Sequence, residues 1–171
     1  ELFRRFGYKG VGIDKIMNDA GLTRGGFYAH FKSKAHLFQK VIGEELNFTK
    51  QVRKLRDGPV GGVQNRALFA IRHYLGPKTR DHIGGACTMA SSAIDVAGSD
   101  TQTRAAFEAR VKDLLGEITD LFDEDGVTLN APQAQAILAM SVGGLVLARA
   151  CNEPTATEIL DASYNAIEKM V

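Results

Sequence analysis

Apolar residues recur at intervals of three and four along nearly all of this 171-residue chain. That spacing constrains the fold more than any other feature, because it is the period of a helix with one buried face. Leu2, Phe3 and Phe6 share a face of a helix that stops at Gly7, and the segment reads as the end of a helix that begins before residue 1. Ile13, Ile16, Met17 and Ala20 follow at helical spacing and end at Gly21. Leu22 and Thr23 open a short segment through Phe31, with the Phe27 and Phe31 rings, four residues apart, both turned inward. Ser33 caps a longer helix that carries Leu37, Phe38, Val41, Ile42, Glu45, Phe48 and Val52 to about Arg56. Asp57-Gly-Pro-Val-Gly-Gly62 is the clearest break.

Further helices are expected from Val63 to just before Pro77, from about Thr88 to Ala97, and from Thr101 to Asp125. Pro132 sits in the first turn of the next, which runs to about Asn152, and Pro154 and Thr155 open the last. Residues 78–87 read as a loop. Val127-Thr128-Leu129 is too short to count as strand alternation. The expected class is all-α, without internal repeats.

The charge is unevenly divided. Residues 1–57 carry 12 Lys/Arg and 6 Asp/Glu, whereas residues 58–171 carry 9 and 14, so a formal charge of +1 hides a basic front and an acidic rear. A basic front suits a polyanionic partner, although a solvated imbalance would give the same count. No run of ~18 apolar residues suggests a membrane span, and the basic pair Arg4-Arg5 is not followed by a secretory core. Two cysteines, Cys87 and Cys151, make no disulfide framework, so a reducing cytoplasm is the expected location.

Residues 13–31 read as a helix-turn-helix, two short helices meeting at Ala20-Gly21-Leu22-Thr23. Such a unit lays its second helix in the DNA major groove, with that helix's first residues reaching base edges. Here those residues are Thr23, Arg24, Gly25 and Gly26. Glycines cost ~1 kcal/mol each against alanine inside a helix; their gain is clearance for a close approach to DNA. Thr23 offers a hydroxyl beside free N–H groups, and Tyr28, His30 and Lys34 offer donors. Arg24 is the best candidate for reading sequence, since its fork can bond guanine, with a phosphate contact as the alternative.

Phe3, Phe6-Gly7-Tyr8, Ile13, Ile16, the string from Ala20 to Lys34 and Leu37 together resemble the DNA-binding domain of the TetR (tetracycline-repressor-like) family of bacterial transcription regulators. The resemblance covers about residues 2–42; beyond it only the succession of helices is similar. It implies a head of residues 1–42, including the start of a linking helix, and an effector-binding and dimerisation domain of residues 43–171. It implies a homodimer, a palindromic double-stranded DNA operator and a small-molecule effector, with no cofactor. Tyr28 and Lys34 match positions that contact phosphates, and Thr23, Arg24, Gly25, Gly26 and His30 lie on the base-reading helix. The chain departs from the pattern at Val11-Gly12, where the family often places a small hydroxyl residue; a Gly12 backbone N–H is left to meet a phosphate.

In the rear half, Ala136, Ala139, Gly143, Gly144 and Leu147, with Ile159 and Ala166 on the last helix, are candidates for the dimer interface. Small residues let helices approach closely, and two such helices per subunit would form a four-helix bundle. An ordinary intrachain core is the alternative. Candidate effector contacts are Phe69, His73, Cys87, Met89, Phe107, Arg110, Val111 and Met140, bulky or polar groups on faces expected to turn inward. His73, His82 and Cys87 match no metal-ligand spacing. Cys87 follows Gly84-Gly85-Ala86 at a helix start, where the helix end favours a thiolate, so a redox- or electrophile-sensing regulator acting through Cys87 is an alternative to plain ligand binding.

The expected function is a ligand-responsive, DNA-binding transcription regulator, a repressor that a small molecule releases from its operator. No nucleophile–base pair, paired carboxylates or phosphate loop stands out to support an enzyme. A helical protein-binding adaptor without DNA affinity is the rival from another class; the basic front and the Tyr28/Lys34 pair argue against it.

Overall fold

The computed structural model describes residues 1–43, 65–85 and 87–171. The expectations for Glu45 to Arg56, for the break at 57–62 and for a helix opening at Val63 lie outside those residues. The described chain is all helical, with no strand among the described residues. The helices are α1 (Leu2–Phe6), α2 (Ile13–Asp19), α3 (Arg24–His30), α4 (Lys34–Gly43), α5 (Arg66–Tyr74), α6 (Pro77–Asp81), α7 (Thr88–Ala97), α8 (Thr101–Glu124), α9 (Ala131–Ala150) and α10 (Thr155–Glu168). A 3₁₀ turn, Ile83–Gly85, follows α6.

Most boundaries follow local chemistry. Gly7 ends α1 at φ +72° and Gly21 follows α2 at φ +68°, a left-handed backbone that a side chain resists. The Asn65 side chain accepts the Leu68 N–H at 2.8 Å to start α5, and Asp100 accepts the Thr103 N–H at 2.7 Å to start α8. Asn130 and Gln133 satisfy each other's backbone N–H groups in a capping box at the start of α9.

The loop expected over 78–87 is a correction. Pro77 opens α6 rather than ending structure, because its fixed φ and missing N–H suit a first helical turn.

Among the described residues, two apolar clusters form the core. The larger one lies in the body, with Ile71, Phe122, Ile137, Leu145, Leu160 and Ile167 among its buried members. The smaller one joins head to body: Phe3, Val11, Phe38 and Ile42 come from the head and Val96 from α7. Phe107 of α8 packs against both clusters and marks the seam. The head core is therefore completed by the body, and α4 lies along α8.

By length and composition α9 is apolar enough to cross a membrane, with a mean hydropathy of 1.4. Its packing gives a different use for those residues. Ala134, Ile137, Ser141, Gly144, Leu145 and Ala148 are buried within the chain, and α9 packs against α10, α8, α7 and α6.

Candidate nucleic-acid interface and effector cavity

The α2–α3 unit has the expected geometry of a short helix, a tight turn and a second short helix. The Leu22 N–H reaches back to the Met17 carbonyl at 2.8 Å, closing the turn after Gly21. Phe27 anchors α3 at 1% exposure, a burial that contributes on the order of 2–3 kcal/mol. Its ring meets Phe31 at 5.5 Å and Tyr28 edge-on at 5.2 Å. Phe31 is half-buried, so one of the two rings expected inward is fully so.

With Phe27 fixed inward, the other side of α3 is open. Thr23, Arg24, Gly25, Tyr28 and His30 are all exposed. Tyr28 leaves 56% of its surface in solvent, unusual for a large aromatic with no outside partner. Thr23 is the N-cap residue of α3 yet makes no side-chain cap bond. Arg24 donates to Asp14 of α2 at 3.1 Å, with both side chains about two-thirds exposed, so the pair is worth at most ~1 kcal/mol and yields readily to a stronger acceptor.

The two glycines of α3 have no internal reason to be glycine. A Cβ on Gly25 would come no nearer than 4.0 Å to another residue, and one on Gly26 no nearer than 3.8 Å. Gly10 differs, since a Cβ there would strike the Phe6 carbonyl oxygen at 2.1 Å. Gly12 is the exposed N-cap of α2, with open space around the position of a Cβ.

Lys34 has a task that sequence reasoning missed. Its Nζ donates to the Tyr8 carbonyl at 2.8 Å and the Val11 carbonyl at 3.0 Å, and lies 4.2 Å from the centre of the Tyr8 ring. It ties the α1–α2 connection to the start of α4. His36 Nδ1 accepts the Lys32 N–H at 3.3 Å, while the Ser33 hydroxyl accepts the His36 N–H at 3.1 Å. Ser33 thus caps the first turn of α4, and His36 holds the backbone just before it.

The body holds a small cavity lined by Ile71, Tyr74, Cys87, Leu114, Ile118, Ile137, Leu138, Ser141 and Val142. Of the eight expected effector contacts, Cys87 alone lines it. Phe69 and His73 point to solvent, and Met89 is core. Phe107 sits on the head–body seam, and Arg110 pairs with Asp113 at 2.7 Å. Val111 and Met140 pack against the outside of the body core. Tyr74 and Ser141 were overlooked. The available signal was a polar tip on an otherwise apolar helix face: Tyr74 follows Ile71, and Ser141 lies midway between Ile137 and Leu145.

Burial first, then the neighbouring Cys87 thiol, holds the Tyr74 hydroxyl well above the usual phenol range. Arg149 is drawn below its ordinary value by burial; it donates to the Thr79 and Arg80 carbonyls at 2.9 and 3.1 Å. Cys87 is buried and Cys151 exposed, and both are free thiols. Among the described residues, no cluster of His, Cys, Asp or Glu could hold a metal ion.

The proposed interface residues fall into two groups. Ala139, Leu147 and Ala166 are exposed, and Ala136, Gly143 and Ile159 partly so. Gly144 is a correction: it is buried against its own chain, and a Cβ there would fall 2.4 Å from Ser163 Oγ. It is small so that α9 and α10 can approach each other.

The described residues thus form a helix-turn-helix head on a helical body with an internal cavity. Residues 1–41 match the model of bacterial regulatory proteins, tetR family. It is 32% identical over 75 residues to the A-factor receptor protein of Streptomyces griseus, a match covering 42% of this chain and 26% of that protein. The chain thus spans about a quarter of this curated relative.

Solved structures share the fold. E. coli NemR in its reduced form superposes with a TM-score of 0.77 at 17% identity, over 98% of this chain and 90% of that one. A TetR-family regulator from Agrobacterium tumefaciens gives 0.73 at 19%, over 98% and 90%. The fatty acid degradation regulator FadR of Bacillus halodurans gives 0.66 at 18%, over 97% and 88%.

Proposed function

We propose that this chain is a ligand-responsive transcriptional repressor that binds a palindromic operator as a homodimer and is released by a small molecule. The observation that carries the reading is the outer side of α3. Thr23, Arg24, Tyr28 and His30 stand exposed around two glycines that the fold itself does not require. In this reading Arg24 leaves Asp14 for a base or phosphate, Tyr28 and Thr23 meet phosphates, and the bare backbone at Gly25 and Gly26 permits the close approach. Gly12 offers its backbone N–H to a phosphate. Lys34 acts mainly by holding the Tyr8–Val11 carbonyls, with its charge adding to the field.

Dimerisation would use the outer faces of α9 and α10 through Ala136, Ala139, Gly143, Leu147, Ile159 and Ala166. Leu147 leaves 58% of its surface exposed in the single chain. Two heads must lie ~34–36 Å apart to enter successive major grooves. An effector that prefers a different spacing lowers operator affinity by the ratio of its affinities for the two states. The curated relative is named a receptor, which supports an effector-binding body. The cytoplasm is the compartment this function requires.

A second reading, redox or electrophile sensing through Cys87, draws on one observation: the thiol lines the same cavity as Tyr74. Oxidant-induced release that survives Cys87→Ser would remove it.

The reading is tested by titrating duplex DNA from upstream of the chain's own gene, at several salt concentrations, with the full chain. Saturable, salt-sensitive binding in preference to random duplex is expected. Equal affinity for both duplexes would reject the regulator and leave the adaptor.

A further inference from the structure

The body cavity has an unusual combination of properties. Its walls are almost wholly apolar, with Leu114, Ile118 and Ile137 supplying most of them. Yet Ser141, at 7% exposure, lines it with an Oγ that has no hydrogen-bond partner. A buried hydroxyl without a partner is costly, and such groups normally find one or are replaced by an apolar residue. The Tyr74 hydroxyl and the Cys87 thiol complete the polar edge of the same cavity.

The cavity is also small. Its water-accessible volume is about 20 Å³, room for about one water molecule, whereas an engineered cavity that takes benzene measures ~150 Å³. A ring-sized guest therefore enters only if a wall moves. Two of its walls come from the long helices α8 and α9. The Cys87 corner is different: it is the N-cap of α7 and follows closely on the 3₁₀ turn Ile83–Gly85. That turn carries the Gly84 carbonyl, which accepts from Arg4 Nη1 of α1 at 3.1 Å. Opening the cavity at this corner therefore displaces a contact that seats the head.

We propose that the cavity edged by Tyr74, Cys87 and Ser141 is the effector site, and that it takes a small, uncharged, largely apolar molecule of about one ring carrying a single oxygen that hydrogen-bonds Ser141 Oγ. This rests on the ligand-responsive reading above and names the ligand class for it. No carboxylate or ammonium lines the cavity, so a charged guest would enter without a counter-ion. Arg149, the nearby cation, is already engaged with the Thr79 and Arg80 carbonyls. Because the cavity as it stands is too small for the guest and a widened one admits it, binding favours the widened state, and widening at the Cys87 corner carries the change toward the head.

The test uses the full chain, calorimetric titration and three probes of similar size: benzyl alcohol, toluene and benzoate. Benzyl alcohol is expected to bind about three- to tenfold more tightly than toluene, the size of one neutral hydrogen bond, with benzoate weakest. Ser141→Ala removes an unpartnered buried hydroxyl, so it should fold at least as well and lose the preference for the alcohol. Val142→Phe fills the cavity and should abolish binding of all three, with thermal unfolding confirming that it folds.

Absence of binding by all three probes, an alcohol preference that survives Ser141→Ala, or tighter binding of benzoate would each overturn the proposal. If the alcohol binds as expected and operator affinity does not change, the site stands and the ligand-release reading fails. If another compound releases the operator equally well from the wild type and Val142→Phe, the repressor reading stands and this site fails.

Discussion

The backbone N–H of Tyr8 donates to Asp95 Oδ2 at 2.7 Å, joining the turn after α1 to the last turns of α7. Together with the Arg4–Gly84 bond it brackets the apolar contact of Phe3 with the cluster that contains Val96. These polar ties seat the head on the body around an apolar patch. Asp95→Ala leaves the partly buried Tyr8 N–H without an acceptor, at an expected cost of ~1–3 kcal/mol. Chemical denaturation should show a lower midpoint, and amide exchange at Tyr8 should quicken. Asp95→Asn keeps an oxygen acceptor and should lose clearly less; equal losses would show that the bond does not seat the head.

Lys34 and Arg24 should separate in their effects. Lys34→Met removes a donor shared by two carbonyls and should destabilise the head by ~1–2 kcal/mol while weakening binding to all DNA sequences. Arg24→Ala breaks an exposed pair with Asp14, so stability should change by less than ~1 kcal/mol while discrimination among operator variants relaxes. Thermal unfolding with competition binding distinguishes the two; unchanged stability in Lys34→Met would return that residue to a pure phosphate role.

Gly144 and Leu147 lie three residues apart on α9 and should fail differently. Gly144→Ala drives a methyl toward Ser163, an overpacked contact that should cost ~1–3 kcal/mol without altering the oligomeric state. Leu147→Glu places a charge on an exposed position; the folded chain should remain and sedimentation should report monomers. Dimers that persist in Leu147→Glu would move the interface off this face.

Acid should loosen two helix starts. The Thr103 backbone N–H holds the Asp100 carboxyl below its usual value, and the Arg80 guanidinium does the same for Glu153. A carboxyl lowered in the folded state contributes stability that is complete above its unfolded pKa of ~4 and is lost as pH falls through the lower folded value. The melting temperature should therefore fall more steeply below about pH 4, and Asp100→Asn, which keeps a capping oxygen, should flatten that fall.

Sequence periodicity made the helices legible, and the string from Ala20 to Lys34 made the head so, because a turn glycine, buried Phe27 and an exposed outer side are local properties. Two kinds of feature were not legible. One was reciprocal use of a single residue: Lys34 carries a charge suited to phosphate, but its partners, the carbonyls of Tyr8 and Val11, are visible only once α4 folds back on α1. The other was the cavity. Its lining comes from four separate segments, so choosing bulky residues from one helix at a time found Cys87 and missed Ser141. Gly144 shows the same limit, since a small residue serves an intrachain crossing as well as a dimer.

The most direct measurement is the operator affinity of Gly25→Ala and Gly26→Ala beside the wild type, read by fluorescence anisotropy, with the stability of each protein measured in parallel. A Cβ at either position meets nothing closer than 3.8 Å, and alanine favours a helix over glycine by ~1 kcal/mol. Both variants should therefore be as stable as the wild type or more so, and should bind the operator at least tenfold more weakly. Undiminished operator binding by both would contradict the assignment of the outer side of α3 to DNA.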